Sequence, residues 1–533
     1  MSNIYKKGEN RKQAMFFPPS IDEYVNEDNP VRAIEDYVEL LDMVKLGFTK
    51  SALNSSDGQP AYHPKLLLKI YIYGYLNRIR SSRKLENEIK RNIEMMWLCA
   101  GLKPSNKTIS NFRKENAKPL KKVFREFVLL CRKLELITGE LVAVDGAFLR
   151  ANASKNQLIT KKTVVKDLEK IDEKIDEYLK TMEFSDKEEK KERNLKPPIE
   201  KLSKMKKRKA KLDKDLALLE EMKVTQYNRT DPDAKLMKKY GYSQISYNTQ
   251  IAVDNSFKFI IATEITPNGN DMKELHKMAI ESKKIIGEGV DTTIVADTGY
   301  YSSNEIKKCK EDNIEVIVSV PNIQKVQKDK GFYSKDDFTY VEEKNHYICP
   351  NQQILTQTKS STVRNNDITT YYYRAGSKIC KACSLRDKCI PSKTAYKRIT
   401  RTELAKMVEG HIRDMKTNRA KTLIKKRGSI VEHPFGTIKQ SLGWSHFLVR
   451  GYEKVGGENT LIMFTYNFRR LLNLIGIALF RKLIIALKEG NIEEIKAEIV
   501  AYISYFKLYY LSFLAFLNFR NFNKEIGKKN IVF

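Results

Sequence analysis

The sequence predicts an α/β protein: a sheet-bearing core in the middle of the chain, preceded by a helical domain. Three observations carry that expectation. Apolar and alternating runs of strand length recur between residues 141 and 320, separated by runs of helical periodicity. Residues 15–135 show helical periodicity almost throughout. Two stretches of different composition, a charged one at 160–225 and a cysteine-bearing one at 320–400, interrupt the sheet region.

At the N-terminal end, "NPVRAIEDYVELLDMV" places Val31, Ile34, Val38 and Leu41 on one helical face. Further helices follow between short polar breaks, with Ser105 and Thr108 as N-cap candidates before a segment carrying Arg113 and Lys114. A compact helical unit whose second helix is basic resembles a helix-turn-helix, so Arg113 and Lys114 are candidate DNA contacts; a plain helical bundle is the alternative. In the charged stretch, Leu168, Ile171, Ile175, Tyr178 and Met182 recur at three- and four-residue steps, as do Leu212, Leu216 and Leu219. Pro197 and Pro198 lie between the runs, so this is expected to be a helical hairpin inserted into the core.

The core begins with "LVAVDG", an apolar strand that ends at Asp145. "SQISYNTQIAVDNSFKFIIATEIT" alternates on both sides of Asp254, Asn255 and Ser256, a β-hairpin pattern. Then come the helix "DMKELHKMAIESKKIIG", the strand "TTIVAD" ending at Asp297, a helix from Ser302, and the strand "IEVIVSV". Three antiparallel strands followed by parallel ones separated by helices is the order of a ribonuclease-H-like core. In that order the strands ending at Asp145 and Asp297 are neighbours, so two carboxylates stand side by side. Close like charges need a divalent cation between them, and hard oxygen ligands suit Mg2+, with Mn2+ as a substitute. A third ligand is expected from a helix, and Glu432 is the candidate, with Lys439 seven residues further on the same face. Glu409 and Asp414 compete with Glu432, and Asp271 is the reserve carboxylate or else a helix cap. His433 and His446 are read as packing or phosphate-facing residues.

"VDGAFLRANAS", "ADTGYYS" and "KKRGSIVEHPFGTIKQSLGWSHFLVRG" resemble the three acidic motifs of bacterial insertion-sequence DDE transposases. "FFPPSIDEYVNEDNPVRAIEDYV" is similar to their N-terminal domain, and the likeness runs from about residue 15 to 475. The resemblance implies catalytic and metal-binding roles for Asp145, Asp297 and Glu432. Arg427 and Lys439, which match the arginine and lysine flanking the family's glutamate, would hold DNA phosphate. The tyrosine expected three residues before Arg427 is replaced by Ile424, and Pro434 must kink its helix or lie in a first turn.

Of seven cysteines, Cys349, Cys380, Cys383 and Cys389 cluster; four thiolates would fit tetrahedral Zn2+, and the alternative is plain free thiols. Cys99, Cys131 and Cys309 read as packing residues. The chain has 533 residues and a net charge of +31, which implies a polyanionic partner. The polar N-terminus and short, charge-broken apolar stretches suggest neither a secretory signal nor a membrane span, hence a cytoplasmic, nucleoid-associated protein. The expected organisation is a DNA-binding domain at 1–138, a catalytic domain at 139–475 and a helical tail at 476–533. The expected function is metal-dependent cleavage at element ends and strand transfer into target DNA, by a homo-oligomer bound to terminal inverted repeats. A nuclease without strand transfer and a non-catalytic DNA-binding protein are the rival readings.

Overall fold

The computed structural model describes residues 20–49, 60–188, 197–239, 241–363, 368–391 and 394–505. The expected helical tail therefore lies outside the described residues beyond 505, as does the "FFPP" start of the N-terminal likeness. The chain forms two units. One draws on Met1–Phe127, Gln440–Trp444 and Gly456–Phe533, the other on Val128–Lys439 and Ser445–Val455. Residues after Gly456 thus group with the N-terminal helices, where the sequence suggested a catalytic domain reaching 475.

The first unit is helical. Its α1 (Pro30–Leu40) starts at the Asn29 side chain, which accepts from the Val31 N–H at 3.0 Å, with Pro30 pre-setting the first turn. The almost wholly apolar α2 (Pro64–Leu76) is buried along most of its length. Ser105 caps α3 (Asn106–Glu115) by accepting from Thr108 N–H, as a serine before a periodic run should. Tyr37 of α1 packs edge-on against Phe127 at 5.4 Å and beside Phe464 at 5.6 Å, the latter on the long helix Tyr452–Glu489. These aromatic contacts explain why the segment after Gly456 belongs here.

The second unit contains a six-stranded mixed sheet: β1 (Leu141–Arg150), β2 (Lys235–Lys239), β3 (Tyr242–Asp254), β4 (Ile260–Thr266), β5 (Thr293–Ala296) and β6 (Glu315–Val318). Central β1 pairs antiparallel with β3 and parallel with β5; β5 continues parallel to β6, and β3 also pairs with β2 and β4. Between β1 and β2 stand two long charged helices, α4 (Lys161–Glu188) and α5 (Pro197–Glu221). They close over Val164, Leu212, Leu219 and Tyr227, a small core of their own. The helix α6 (Leu275–Ile286) lies between β4 and β5 in sequence, and α7 (Asn418–Gly436) packs across β1, β3, β5 and β6. A separate antiparallel sheet follows β6, made of β7 (Thr339–Val341), β8 (His346–Ile348), β9 (Ile354–Val363), β10 (Thr369–Arg374) and β11 (Arg398–Thr402). Tyr347 and Tyr373 lie in its core with Tyr340 packed against them; the Tyr347 ring is tilted to Tyr340 at 4.9 Å and meets Tyr373 edge-on at 5.1 Å. Among the described residues, no helix is long and apolar enough to cross a membrane.

Candidate active site

The register of β1 and β5 sets the geometry. Their last parallel pair is Ala143 with Val295, so Asp145 and Asp297 each stand two residues further along, at the same level. Hydrogen bonding to β5 has stopped there, and the two strands present their carboxylates to one cleft. Asp145 Oδ1 accepts from the Gly146 N–H at 2.9 Å, and Asp297 Oδ1 accepts from the Gly299 N–H at 2.8 Å. Those bonds fix one oxygen of each carboxylate and leave Oδ2 turned to the cleft.

Into that cleft α7 sends Arg427. Its guanidinium lies 3.6 Å from Asp145 Oδ2 and 3.9 Å from Asp297 Oδ2, with the arginine side chain 19% exposed. One positive charge thus sits between two negative ones at distances too long for good hydrogen bonds. Burial pushes the Tyr300 hydroxyl well above its ordinary range, and the negative charges of Asp271, Asp145 and Asp297 push it further. The three carboxylates therefore lie close enough to one another for all of them to act on one hydroxyl.

The other sequence candidates separate. Glu432 is exposed on α7, one turn past Gly428, where a side-chain carbon at 428 would stand 3.3 Å from its carboxylate. Arg427, not Glu432, is the α7 residue that meets both aspartates here. Nor does the register expected to stack Lys439 over Glu432 hold: after Pro434, which lacks an N–H to donate, Thr437–Ser441 forms a wider π turn. Lys439 instead lies 5.5 Å over the Phe435 ring. Glu409 is engaged by Arg401. His446 bridges to Arg150 of β1. Lys114 is exposed, as a DNA contact requires, but Arg113 corrects the expectation. Its side chain is 6% exposed, ion-paired with the fully buried Glu458 at 3.6 Å and donating to Tyr75 Oη at 2.9 Å. A helix stripe reading as basic thus has one cation facing the interior of the helical unit. Sequence periodicity could have flagged it, because Ile109, Phe112 and Arg113 share one face.

Asp271 is the residue that sequence reasoning left undervalued. It is not the cap of α6, whose N-cap residue is Glu274 and which has no side-chain cap bond; Asp271 Oδ1 accepts from Asn248 Nδ2 at 2.7 Å and Gln250 Nε2 at 2.6 Å. A signal for this in the sequence was the pair of amides, Asn248 and Gln250, at alternate positions of β3 and so on one face.

Cys349, Cys380, Cys383 and Cys389 all line one cavity of about 30 Å³ at the edge of the second sheet, with Phe338, Leu355 and Lys397. Burial raises the Cys389 thiol above its ordinary value; Lys397 opposes this, and the other three thiols add to it. All seven cysteines are free, and Cys99, Cys131 and Cys309 are buried packing residues as expected. Among the described residues, no group of three or more His, Cys, Asp or Glu is arranged to hold a metal ion.

A level pair of strand-end carboxylates stands on a chain of net charge +31, and that charge suits a polyanionic partner. The kind of protein is given by two family matches: residues 19–115 match a transposase domain (DUF772), and residues 348–472 match a transposase DDE domain. The chain is a DNA transposase of the DDE type, a class that generally works with a divalent metal. The second match spans the cysteine cluster and α7. Among solved structures, a piggyBac transposase synaptic complex with hairpin DNA is similar over 90% of this chain and 85% of that one, at 10% identity and a TM-score of 0.28. No curated protein matches.

Proposed function

We propose that the chain cleaves DNA at the ends of an insertion sequence and transfers the freed strands into target DNA, with Asp145, Asp297 and Glu432 as ligands for Mg2+ or Mn2+. The observation that carries this reading is the level register of Asp145 and Asp297 on adjoining parallel strands, with the Oδ2 atom of each beside the Arg427 guanidinium. The strand order, with β1 between an antiparallel and a parallel neighbour, supports reading the sheet as a ribonuclease-H-like core into which the α4–α5 hairpin and the second sheet are inserted. Glu432 enters on the resemblance of "VEHPFGTIKQ" to the family's glutamate motif.

Asp145, Asp297 and Glu432 would offer the hard oxygen donors that Mg2+ or Mn2+ takes, with the cation replacing the Arg427 guanidinium between the two aspartates. Bound there, the metal would lower the pKa of the attacking water or hydroxyl and stabilise charge on the leaving oxygen. The protein's own part is to hold Asp145 and Asp297 rigid through their backbone bonds, and to present Arg427 and Lys439 to phosphate. Lys114 would contribute to the recognition of element ends, and the enzyme would work as an oligomer on DNA. The four cysteines around one cavity are read as a structural Zn2+ site.

Single-turnover assays on element-end DNA, with pre-cleaved ends for the joining step, test the reading. Asp145→Asn, Asp297→Asn and Glu432→Gln should each slow cleavage by roughly 10³-fold or more while DNA binding persists. Near-normal cleavage by Asp145→Asn would overturn it, and cleavage without joined products would leave a nuclease. For the cysteines, purified protein should carry about one zinc per chain, lost on replacing two of the four.

A further inference from the structure

We propose that Asp271 is a positioning residue of the carboxylate cleft, a third fixed negative charge that strengthens cation binding by Asp145 and Asp297; this rests on reading that pair as the metal site. Its placement is built rather than incidental. Asn248 and Gln250, which hold its Oδ1, are both fully buried on β3. Gln250 is held in turn by the hydroxyl of Tyr300, itself fully buried in the turn that follows Asp297. One network therefore ties β3, the loop before α6 and the Asp297 turn.

Two glycines admit the Asp271 carboxylate. A side-chain carbon on Gly146, the residue after Asp145, would stand 2.7 Å from Asp271 Oδ1 and 2.5 Å from Gln250 Nε2. On Gly299, two residues after Asp297, it would stand 3.5 Å from Asp271 Oδ2 and 3.0 Å from Asp297 Oδ1. The carboxylate thus reaches the backbone beside both aspartates, and its Oδ2 is directed toward the Asp297 turn.

Asn248 is fully buried, yet its Oδ1 has no hydrogen-bond partner and lies 3.0 Å from the place a Gly146 side-chain carbon would take. Asn248, Gln250 and the Asp271 carboxylate thus close around Gly146 on the β1 face opposite the Asp145 side chain, and Asp271 acts on the cleft through its charge beside the Asp297 turn.

The test is Mn2+ binding to the purified full chain, followed by electron paramagnetic resonance of the free ion, with melting temperature recorded in metal-free buffer. Asp271→Asn keeps an oxygen for both amides and removes only the charge; its Mn2+ affinity should fall roughly tenfold with melting unchanged. Gly146→Ala should weaken binding as well, because the added carbon displaces Asp271. Wild-type affinity in Asp271→Asn overturns the proposal, and so does a loss of binding accompanied by a fall in melting temperature. Asp145→Asn is the reference: if it too binds Mn2+ like the wild type, the reading of the aspartate pair fails instead.

Discussion

Two arginines that the sequence offered alike as phosphate contacts sit in opposite circumstances. Arg113, in the helical unit, is sealed: a buried glutamate balances its charge, Tyr75 accepts its hydrogen bond, and its guanidinium lies 5.4 Å over the Tyr71 ring. Arg427, in the sheet unit, stands between two partly exposed carboxylates at distances of 3.6 and 3.9 Å. The first arrangement is closed and serves the fold. The second is held only at long range and is partly exposed, and a loosely paired charge cluster is what a cation or a phosphate can use.

The contrast makes its largest prediction for stability. Arg113→Met leaves Glu458 buried without its counter-charge and should cost about 3–5 kcal/mol in chemical denaturation, with part restored in the double variant Arg113→Met/Glu458→Gln. Arg427→Met should change stability by less than about 1 kcal/mol, since its pairs are long and reach solvent, yet slow cleavage markedly. Equal stability losses in the two variants would remove the distinction.

A smaller effect separates the lysines. Lys114→Ala should weaken binding to element-end DNA and reduce the salt dependence of binding by about one released counterion. Lys439→Ala should slow single-turnover cleavage more than it weakens binding; unchanged cleavage would take Lys439 out of the site.

The smallest concerns a buried group held neutral, the counterpart of Arg113. His411 is 2% exposed, its Nε2 is 3.1 Å from the Val318 carbonyl, and burial lowers its pKa below the ordinary 6.5. The unfolded chain therefore takes up a proton below about pH 6.5 that the folded chain resists, so stability is full above that pH and declines as pH falls through it. His411→Gln should flatten this part of the melting profile; an unchanged slope would assign it to other groups.

Much of the site was legible because it depends on strand ends. "LVAVD" and "TIVAD" each read as a buried strand stopping at an acid, and strand length with alternation fixes which residue stands there. What could not be read was direction around a helix. Arg113 and Lys114 are adjacent letters, yet one rotation of about 100° puts one inside and one outside. The π turn after Pro434 has the same character: counting seven residues from Glu432 assumes a regular helix, and the backbone widens there.

The sequence by itself determined the order of strands and helices, the charged hairpin with its own leucine core, the buried Cys99, Cys131 and Cys309, and the two strand-end aspartates. Each follows from local periodicity and from the cost of burying polar groups, which act over a few residues. Only the tertiary structure decided that Asp145 and Asp297 share a level, that Arg427 stands between them, that Asp271 reaches Gly146 through the amides of Asn248 and Gln250, and that Arg113 is interior. Those facts depend on strand register and on which face of an element meets which neighbour. Packing of segments distant in the chain sets both, and no short window of sequence encodes it.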